Sequence, residues 1–456
     1  MSKITSIKIE NFKFFKEELL EIKDGKNLLI YGENGSGKSS FYHAVKYFVY
    51  KRAKEDYTAD ESKYKNIMMQ EDDIGVSFTP SNLNFKYSFF INYQILQNII
   101  ESKDLFQVIY RDLDFEFQIL FSEVFALMKS LEDNIKIETR DIKIVQNLKR
   151  DINDALRAIL DSLKSEANKT IEAFGEKLQI DFDYEDLLLN LETKGVNSFE
   201  FPQIKIKLVE PIDVEPNIYL NEARGKAISL SLYLAMMKLS LQNASETDTK
   251  LLVLDDFLLS FDMGNRSFIM KYIFENFGDF QMIILTHNLL FYELVKKLYI
   301  SFGIQNKWLE MKLYPRENID GSIEAKIYLQ SLNYLDKAKN ELKKDNPDLD
   351  IAGNNTRKAL EKIIYEISIF LEIGSIKLEN IIKNIKKSDT FSINGVTLNT
   401  TTLNKVLCDS QFFKDIALNA MSHNNTNDFY KSEIEAAINN VDEIFKIYKQ
   451  VQGGEL

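Results

Sequence analysis

Cysteine, proline and histidine are all scarce in this chain of 456 residues. The single cysteine, Cys408, excludes an internal disulfide and a cysteine-based zinc cluster, and it suits a reducing cytosol. Only 6 prolines interrupt the chain, so long helices are permitted, and the 45% of hydrophobic residues suffice for a large core. The composition therefore predicts a folded, helix-rich protein rather than a disordered one.

Long apolar segments are also absent. No uninterrupted apolar run could span a bilayer, and the opening MSKITSIKIE has no apolar signal core. We therefore expect a soluble, cytoplasmic protein with no membrane partner. The net charge of −12 and the pI of about 5.1 exclude broad coating of nucleic acid by the whole surface, although a local basic patch is still permitted.

A phosphate-binding loop is predicted near the N-terminus. The stretch NLLIYGENGSGKSSFYHAVKYF has the pattern of an apolar strand, a glycine-rich loop and an amphipathic helix. In such a loop successive backbone N–H groups surround a phosphate, the lysine reaches the outer phosphates and the serine hydroxyl binds Mg²⁺. The alternative is a chance glycine turn before a helix. The loop residues are Gly32, Glu33, Asn34, Gly35, Ser36, Gly37, Lys38, Ser39 and Ser40.

Two later apolar strands are predicted to end in polar residues that complete a nucleotide site. KLLVLDDFLLSFD ends its apolar run at Asp255 and Asp256. We expect Asp255 to hold Mg²⁺ and Asp256 to orient or deprotonate the attacking water. FQMIILTHN ends in a similar polar tip, so His287 is expected to contact the γ-phosphate. His43, one turn into the first helix, is expected to be a packing or surface residue.

The segment YLNEARGKAISLSLYLAMMKLSL predicts an amphipathic, nearly all-apolar helix with Asn221 as its N-cap. A capped core helix explains the apolar residues. It does not explain the charged Glu222 and Arg224 in the first turn.

Taken in order, GENGSGKSS, LNEARGKA, LVLDDFLLSFD and ILTHN resemble the ABC-type ATPase heads of the SMC and RecF class. The opening ITSIKIENFKFF is similar to the first strand of that class. The resemblance implies that ATP and Mg²⁺ are the cofactors, that Asp255 is the Walker B magnesium residue, that Asp256 takes the catalytic-carboxylate position and that His287 is the switch histidine. It also implies a D-loop at Ser260 to Asp262, so Asp262 is a predicted nucleotide contact.

The same resemblance places LNEAR where the class has its signature motif, so Asn221, Ala223 and Arg224 are predicted to contact nucleotide in a partner head. This signature lacks both family glycines, and Asp256 replaces the usual glutamate. Gln94 is the leading candidate for the glutamine that contacts Mg²⁺ and nucleotide, with Gln97 behind it. The class implies head-to-tail pairing of two copies with ATP between them, in a homodimer or higher homo-oligomer.

The predicted fold is an α/β P-loop NTPase head of ABC type with a short helical insertion, followed by a C-terminal all-α helical bundle. The head is assigned to residues 1–105 and 195–330, and residues 106–194 form a helical hairpin or lobe that is too short for an SMC coiled coil. Residues 331–456 form the bundle. FSINGVTLN inside it carries a hairpin signal at Asn394–Gly395.

Arg357 is the only arginine after Arg316, in a region where the other cations are lysines. Arg357 and Glu361 lie four residues apart and hence on one helix face, so an exposed ion pair is one interpretation. The other is phosphate recognition, because a guanidinium fork binds phosphate in a way that lysine cannot. His423, the one histidine of this region, could supply a base near neutral pH for metal-free RNA cleavage.

The order of helix, A-G-N-x-x-R-K-A-L-E, later helix, S-H-N-N and final helix resembles the HEPN-like fold of defence RNases and the anticodon nucleases. That resemblance implies an active site of Arg357, Glu361 and His423 and an RNA substrate, plausibly tRNA. The usual HEPN arginine before the histidine is missing here, since residues 416 to 418 are Ile, Ala and Leu.

Three functions are consistent with these patterns. The first is an ATP-gated RNase of bacterial or phage defence. The second is an ATPase sensor or scaffold that holds a separate effector protein encoded nearby. The third is a RecF-like DNA repair ATPase, which the acidic charge and the appended bundle disfavour.

Overall fold

The computed structural model describes most of the chain, divided into two compact units. The first unit spans Met1–Leu329 and the second Gln330–Leu456, and each is described by itself. The described residues are 3–53, 60–66, 72–135, 142–192, 195–210, 220–245, 247–318, 322–329, 334–370, 378–387, 390–393, 396–399, 401, 403–407 and 431–453.

A small antiparallel sheet forms the start of the first unit. It has the strand order β2–β1–β4, and its strands are β1 (Ser6–Phe12), β2 (Phe15–Glu21) and β4 (Gly75–Thr79). Along β1 the burial alternates, with Ile7 and Ile9 buried, as expected for a strand with one face on the core.

The central sheet of this unit is mixed and has six strands in the order β13–β12–β3–β11–β10–β5. Five of them are parallel to their neighbours, and only β13 is antiparallel. Strands buried on both faces need nearly continuous apolar sequences, which β3, β10 and β11 have. The six are β3 (Asn27–Gly32), β5 (Tyr87–Asn92), β10 (Lys250–Asp255), β11 (Gln281–Thr286), β12 (Trp308–Glu317) and β13 (Ile323–Leu329).

Strand register brings the predicted functional residues to one edge of this sheet. Asp255 pairs with Leu285 on one side and with Asn92 on the other, and Thr286 pairs with Tyr31. Since these strands are parallel, their carboxyl ends lie together.

Helices cover both faces of the sheet. Successive β3 side chains point to opposite faces of the sheet, and each face has its own buried cluster. Leu28 and Ile30 belong to one cluster, and Leu29 belongs to the other. The helices of the first unit are α1 (Lys38–Ala53), α2 (Tyr93–Glu101), α3 (Leu105–Asp112), α4 (Ser122–Ile135), α5 (Ile142–Ala173), α6 (Glu222–Ser240), α7 (Met263–Asn276) and α8 (Leu289–Ser301).

Helix α6 differs from its prediction as an amphipathic helix. Every residue from Gly225 to Met237 is buried. A helix that is apolar on all sides is enclosed by its neighbours rather than lying on a surface. Here α5, α2 and the sheet surround α6. The LNEAR segment therefore lies at the start of a helix that is buried in the core.

The insertion packs into the core of the first unit. Leu163, Ala167 and Ile171 of α5 belong to the same buried cluster as α6. With 32 residues, α5 is roughly 48 Å long. Two strand pairs follow α5. One strand of each pair lies within residues 106–194, which were predicted to be helical, and the other strand follows that segment. The pairs are formed by β6 (Gln179–Glu185) with β9 (Gln203–Glu210) and β7 (Leu188–Glu192) with β8 (Gly195–Glu200).

The second unit is largely helical. Ile363, Ile364 and Ile367 pack with Ile438 and Val441 in its core. The prediction of an all-α bundle is not confirmed, because an antiparallel hairpin pairs Ile393 with Val396, at the sequence signal for a turn. Its elements are α9 (Tyr334–Leu342), α10 (Leu349–Phe370), α11 (Leu378–Ile385), β14 (Thr390–Ile393), β15 (Val396–Asn399) and α12 (Lys431–Gly453).

Within the part of the chain that the structure describes, no helix is both long and apolar enough to cross a membrane.

His43 on α1 packs against the rings of Tyr42 and Tyr64. Burial, together with Lys13 and Lys46, lowers its pKa to about 4. The His43 imidazole therefore takes up a proton near pH 6.5 in the unfolded chain but only near pH 4 in the folded chain. The free energy of unfolding consequently falls as the pH drops through this window. We expect His43→Gln to remove up to about 2 kcal/mol of the stability difference between pH 7 and pH 5. Urea unfolding of both proteins at the two pH values checks this, and equal pH dependence would contradict it.

Candidate functional site

The phosphate-binding loop connects β3 to α1. The loop turns tightly because Gly35 and Gly37 adopt φ values of +80° and +106°, a region that favours glycine. At Gly37 a Cβ atom would lie 2.7 Å from Cβ of Ala325, so no side chain fits there. Backbone N–H groups of the loop and of the first turn of α1 are thereby available to a bound anion.

Lys38 folds back over this loop. Its Nζ donates to the carbonyl oxygens of Gly32 at 2.8 Å and of Glu33 at 3.1 Å. The same Nζ lies 3.8 Å from Oδ2 of Asp256, and the Lys38 side chain is only 6% exposed. A buried ammonium held by two carbonyls and one carboxylate is positioned at the sheet edge, where the sequence predicted a phosphate contact.

Asp255 ends β10 as a buried carboxyl group. Burial and the neighbouring Asp256 raise its pKa to about 7, while Lys38, Ser39 and His287 act in the opposite direction. Its Oδ1 atom is buried and has no hydrogen-bond partner among the described residues. A buried acid with an unsatisfied oxygen beside a serine fits the binding of a small divalent cation.

The residues at this site suit a metal ion that needs few ligands from the protein. The described residues contain no cluster of three histidine, cysteine, aspartate or glutamate side chains that could enclose a metal. Mg²⁺ suits a site of this kind, because it is held by one or two carboxylates plus phosphates and water. Asp255 and Ser39 are the residues that would hold it.

Asp256 and His287 form a hydrogen-bonded pair. Backbone N–H of His287 donates to Oδ1 of Asp256 at 3.0 Å, and ring Nδ1 lies 2.8 Å from Oδ2. Because an ionised carboxylate only accepts, Nδ1 carries the proton in this contact and Nε2 is not engaged by Asp256. Backbone N–H of Asp256 in turn donates to Leu285 at 3.0 Å, so neighbouring strand ends fix the pair.

Asp256 has a backbone conformation that is uncommon outside glycine, with φ at +44°. Aspartate and asparagine adopt this region more readily than other side chains do. The conformation turns the chain sharply after β10, and the Asp256 carboxylate thereby contacts both Lys38 and His287. Strained backbone of this kind is often found at functional sites.

The LNEAR residues lie at the exposed start of α6. Oδ1 of Asn221 accepts from backbone N–H of Arg224 at 3.0 Å, which makes Asn221 the predicted N-cap. Nε of Arg224 lies 3.3 Å from a carboxylate oxygen of Glu176, just after α5. Asn221 and Arg224 are exposed and Ala223 is half-buried, so the segment is accessible on the surface of this unit.

Gln94 lies in the first turn of α2, and its side chain donates to Asn98 of the same helix at 2.8 Å. The structure therefore does not bring Gln94 into contact with Asp255 or Ser39.

Asn92 is the polar residue at the end of β5, opposite Asp255, and its side chain caps α2 by accepting from backbone N–H of Ile95. Sequence reasoning passed over Asn92, although a polar residue ending an apolar strand was a usable signal. Asp262 caps α7 through Asn265.

In the second unit, Arg357 Nε donates to Oε1 of Glu361 at 2.9 Å on α10. The side chains are 29% and 45% exposed, so the pair lies at the surface of its helix. His423, the third residue predicted for that site, lies outside the described residues, as does Cys408.

Comparison with known proteins gives a family for part of the chain and several solved structures of related shape. A family model described as AAA domain matches residues 6–192. No curated protein matches the chain. Solved structures similar to it include the recombination mediator protein RecF with ATP, at 15% identity and a TM-score of 0.45, covering 71% of this chain and 97% of that one.

Two SMC head structures show a comparable likeness. An SmcHead bound to the C-winged helix domain of ScpA has 10% identity and a TM-score of 0.40, covering 72% of this chain and 98% of that one. An Smc head domain with an extended coiled coil, bound to the C-terminal domain of ScpA derived from Pyrococcus furiosus, has 13% identity and a TM-score of 0.41, covering 75% and 100%. The phosphate-binding loop lies within the residues that the AAA-domain model matches.

Proposed function

We propose that the chain binds ATP with Mg²⁺ and hydrolyses it at the carboxyl edge of the six-stranded sheet. The observation that carries the proposal is the meeting of three separate segments, in which Lys38 of the phosphate-binding loop lies 3.8 Å from Asp256 and Asp256 is hydrogen-bonded to His287. A cation, a carboxylate and an imidazole at one strand edge are the groups that phosphoryl transfer to water needs.

Each residue has a role in this proposal. Backbone N–H groups of the loop and Lys38 hold the outer phosphates, and Ser39 and Asp255 hold the metal. When bound, Mg²⁺ neutralises charge that develops on the phosphate oxygens. Asp256 orients the attacking water and accepts its proton.

His287 is proposed to contact the γ-phosphate. Since Nδ1–H is donated to Asp256, only Nε2 remains for a phosphate oxygen, and it donates only when the imidazole is protonated. Asp256 therefore has two proposed roles: it orients the attacking water, and it holds the His287 ring in place.

The proposal includes pairing of two copies. Asn221, Ala223 and Arg224 lie at the accessible start of α6, where the helix N-terminus and the half-exposed guanidinium of Arg224 suit a phosphate. In a head-to-tail dimer these residues would contact the ATP held by the partner's loop. ATP binding would then act as the switch for dimerisation.

We further propose that ATP-driven pairing controls an RNase-like effector in the second unit, within an anti-phage defence system and with RNA, plausibly tRNA, as substrate. Support comes from the sequence pattern around Arg357, Glu361 and His423 and from the adjacency of Arg357 and Glu361 on α10. The ion pair itself is compatible with the plainer interpretation as an exposed helix pair.

A comparison of variants tests the RNase proposal. We expect His423→Ala to abolish RNA cleavage and any growth toxicity, and Arg357→Lys to reduce cleavage at least 10-fold, because lysine keeps the positive charge but loses the guanidinium fork. RNA sequencing of cells that express each protein measures this, with Lys383→Ala on α11 as the control.

The outcome separates the candidate functions. Wild-type cleavage by both variants would contradict the RNase proposal. If instead the second unit retains a co-purifying protein and ATP changes its release, the chain is a sensor that restrains a separate effector. ATP hydrolysis stimulated by DNA, without any RNA cleavage, would favour a RecF-like repair role.

A further inference from the structure

The start of α6 and the start of α2 are joined by a cluster of a buried lysine, Lys226, with the half-buried Tyr93 and the exposed Glu222. Nζ of Lys226 lies 2.7 Å from Oε1 of Glu222 and 2.9 Å from the centroid of the Tyr93 ring. The Tyr93 hydroxyl donates to the same Glu222 oxygen at 2.8 Å. Tyr93, which lies 129 positions before Glu222 in the sequence, therefore shares one set of contacts with two residues of the first turns of α6.

Lys226 is an unusual residue for this position. Its side chain is only 2% exposed, within the run of α6 residues that are buried on all sides. A buried ammonium is costly unless it has partners, and here they are one carboxylate and one aromatic face. An apolar side chain of similar length, such as methionine, would fill the same buried space, so the ammonium of Lys226 points to a role beyond packing. Its carboxylate partner, Glu222, has a side chain that is 61% exposed.

The cluster connects two elements of the proposed ATP site. Tyr93 directly follows Asn92, the residue opposite Asp255 in the sheet, so the start of α2 adjoins the sheet edge where Asp255 lies. Glu222 lies between Asn221 and Ala223, the residues proposed to contact the partner's nucleotide. Close packing reinforces the contact, because a Cβ on Gly225 would lie 3.3 Å from the Ile100 side chain of α2.

We propose that Lys226 is a positioning residue that joins the LNEAR segment to the start of α2, so that the two respond as one unit when nucleotide binds at the sheet edge. This inference rests on the proposed function. The Lys226 ammonium reaches Glu222 and the Tyr93 ring. It acts by holding Glu222 and Tyr93, and through them the first turn of α6.

The test compares Lys226→Met and Tyr93→Phe with the wild type in three measurements. Without nucleotide, hydrogen exchange of the amides in Gly225–Ile228 and in Ile95–Asn98 should become at least 10-fold faster in both segments together. The Kd for ATP should stay within about 3-fold of wild type, while kcat and the ATP-dependent dimer fraction should fall at least 10-fold. Lys238→Met, at the far end of α6 and bound to Glu166, is the control that should change none of these.

Each outcome decides the matter. Unchanged exchange in both segments overturns the coupling, and faster exchange with unchanged kcat overturns the positioning role. If Lys226→Met does not fold, Tyr93→Phe, which loses only the hydroxyl, decides by the same criteria. If the wild type neither binds nor hydrolyses ATP, the proposed function fails, while the exchange measurement still decides whether the two segments are coupled.

Discussion

Lys38→Ala should abolish detectable ATP binding, with a loss of affinity of at least 100-fold. The change removes a side chain that reaches from the loop to Asp256, and it deletes two hydrogen bonds to loop carbonyls. Hydrogen bonds to a charged group contribute about 1.5–3 kcal/mol each, so a loss of this size follows from one or two phosphate contacts. Titration calorimetry with ATP and Mg²⁺ measures it.

The matched control is Lys51→Ala on the same helix. Lys51 lies 13 residues further along α1, roughly 20 Å from Lys38, with a side chain that is 56% exposed. This variant should bind ATP as the wild type does. Comparable thermal unfolding of both variants would show that the fold is retained. Wild-type affinity in Lys38→Ala would contradict the assignment of the loop.

Asp256→Asn should trap a dimer with ATP bound. Asparagine has nearly the same shape and tolerates the positive φ of this position, so the turn after β10 should persist. The amide cannot accept the proton of the attacking water, so kcat should fall at least 100-fold while ATP affinity is kept. Light scattering with ATP present measures the dimer, which the wild type should form only transiently.

Asp279→Asn provides the comparison for this variant. Asp279 is a partly exposed aspartate that pairs with Lys250 at the opposite end of β10. It should leave both hydrolysis and the oligomeric state unchanged. A strictly monomeric Asp256→Asn protein at saturating ATP would count against head pairing while leaving the ATP site itself intact.

Local patterns accounted for much of the site. The loop from Gly32 to Ser40 is contiguous, and its glycines, lysine and serine have the spacing of the phosphate-binding loop between a strand and a helix. Asp255 and His287 were predictable for a related reason, since each follows an apolar run of strand length. Their placement at one edge follows from parallel strand order, which an apolar run alone does not specify.

Contacts between distant segments were beyond sequence reasoning. The hydrogen bonds of Asp256 with His287 depend on β10 and β11 being neighbours in register. The Tyr93, Glu222 and Lys226 cluster depends on the packing of α2 against α6. In sequence Lys226 marks only the beginning of an apolar helix.

Two groups of strands that were predicted as helical segments nevertheless have a recognisable strand pattern in the sequence. Ile180, Phe182 and Tyr184 alternate with charged residues, which is typical of the half-buried strand β6 found there rather than of a helix. In the second unit the Asn394–Gly395 signal correctly anticipated strands on both sides, yet the unit was summarised as all-α.

Phosphate release from ATP by the purified wild-type chain, measured beside Asp256→Asn at equal protein concentration, shows whether the sheet-edge site hydrolyses ATP. We expect steady hydrolysis by the wild type that requires Mg²⁺ and stops on chelation, and a rate at least 100-fold lower in the variant. Equal rates in the two proteins, or no hydrolysis by the wild type under any nucleotide and metal condition, would contradict it.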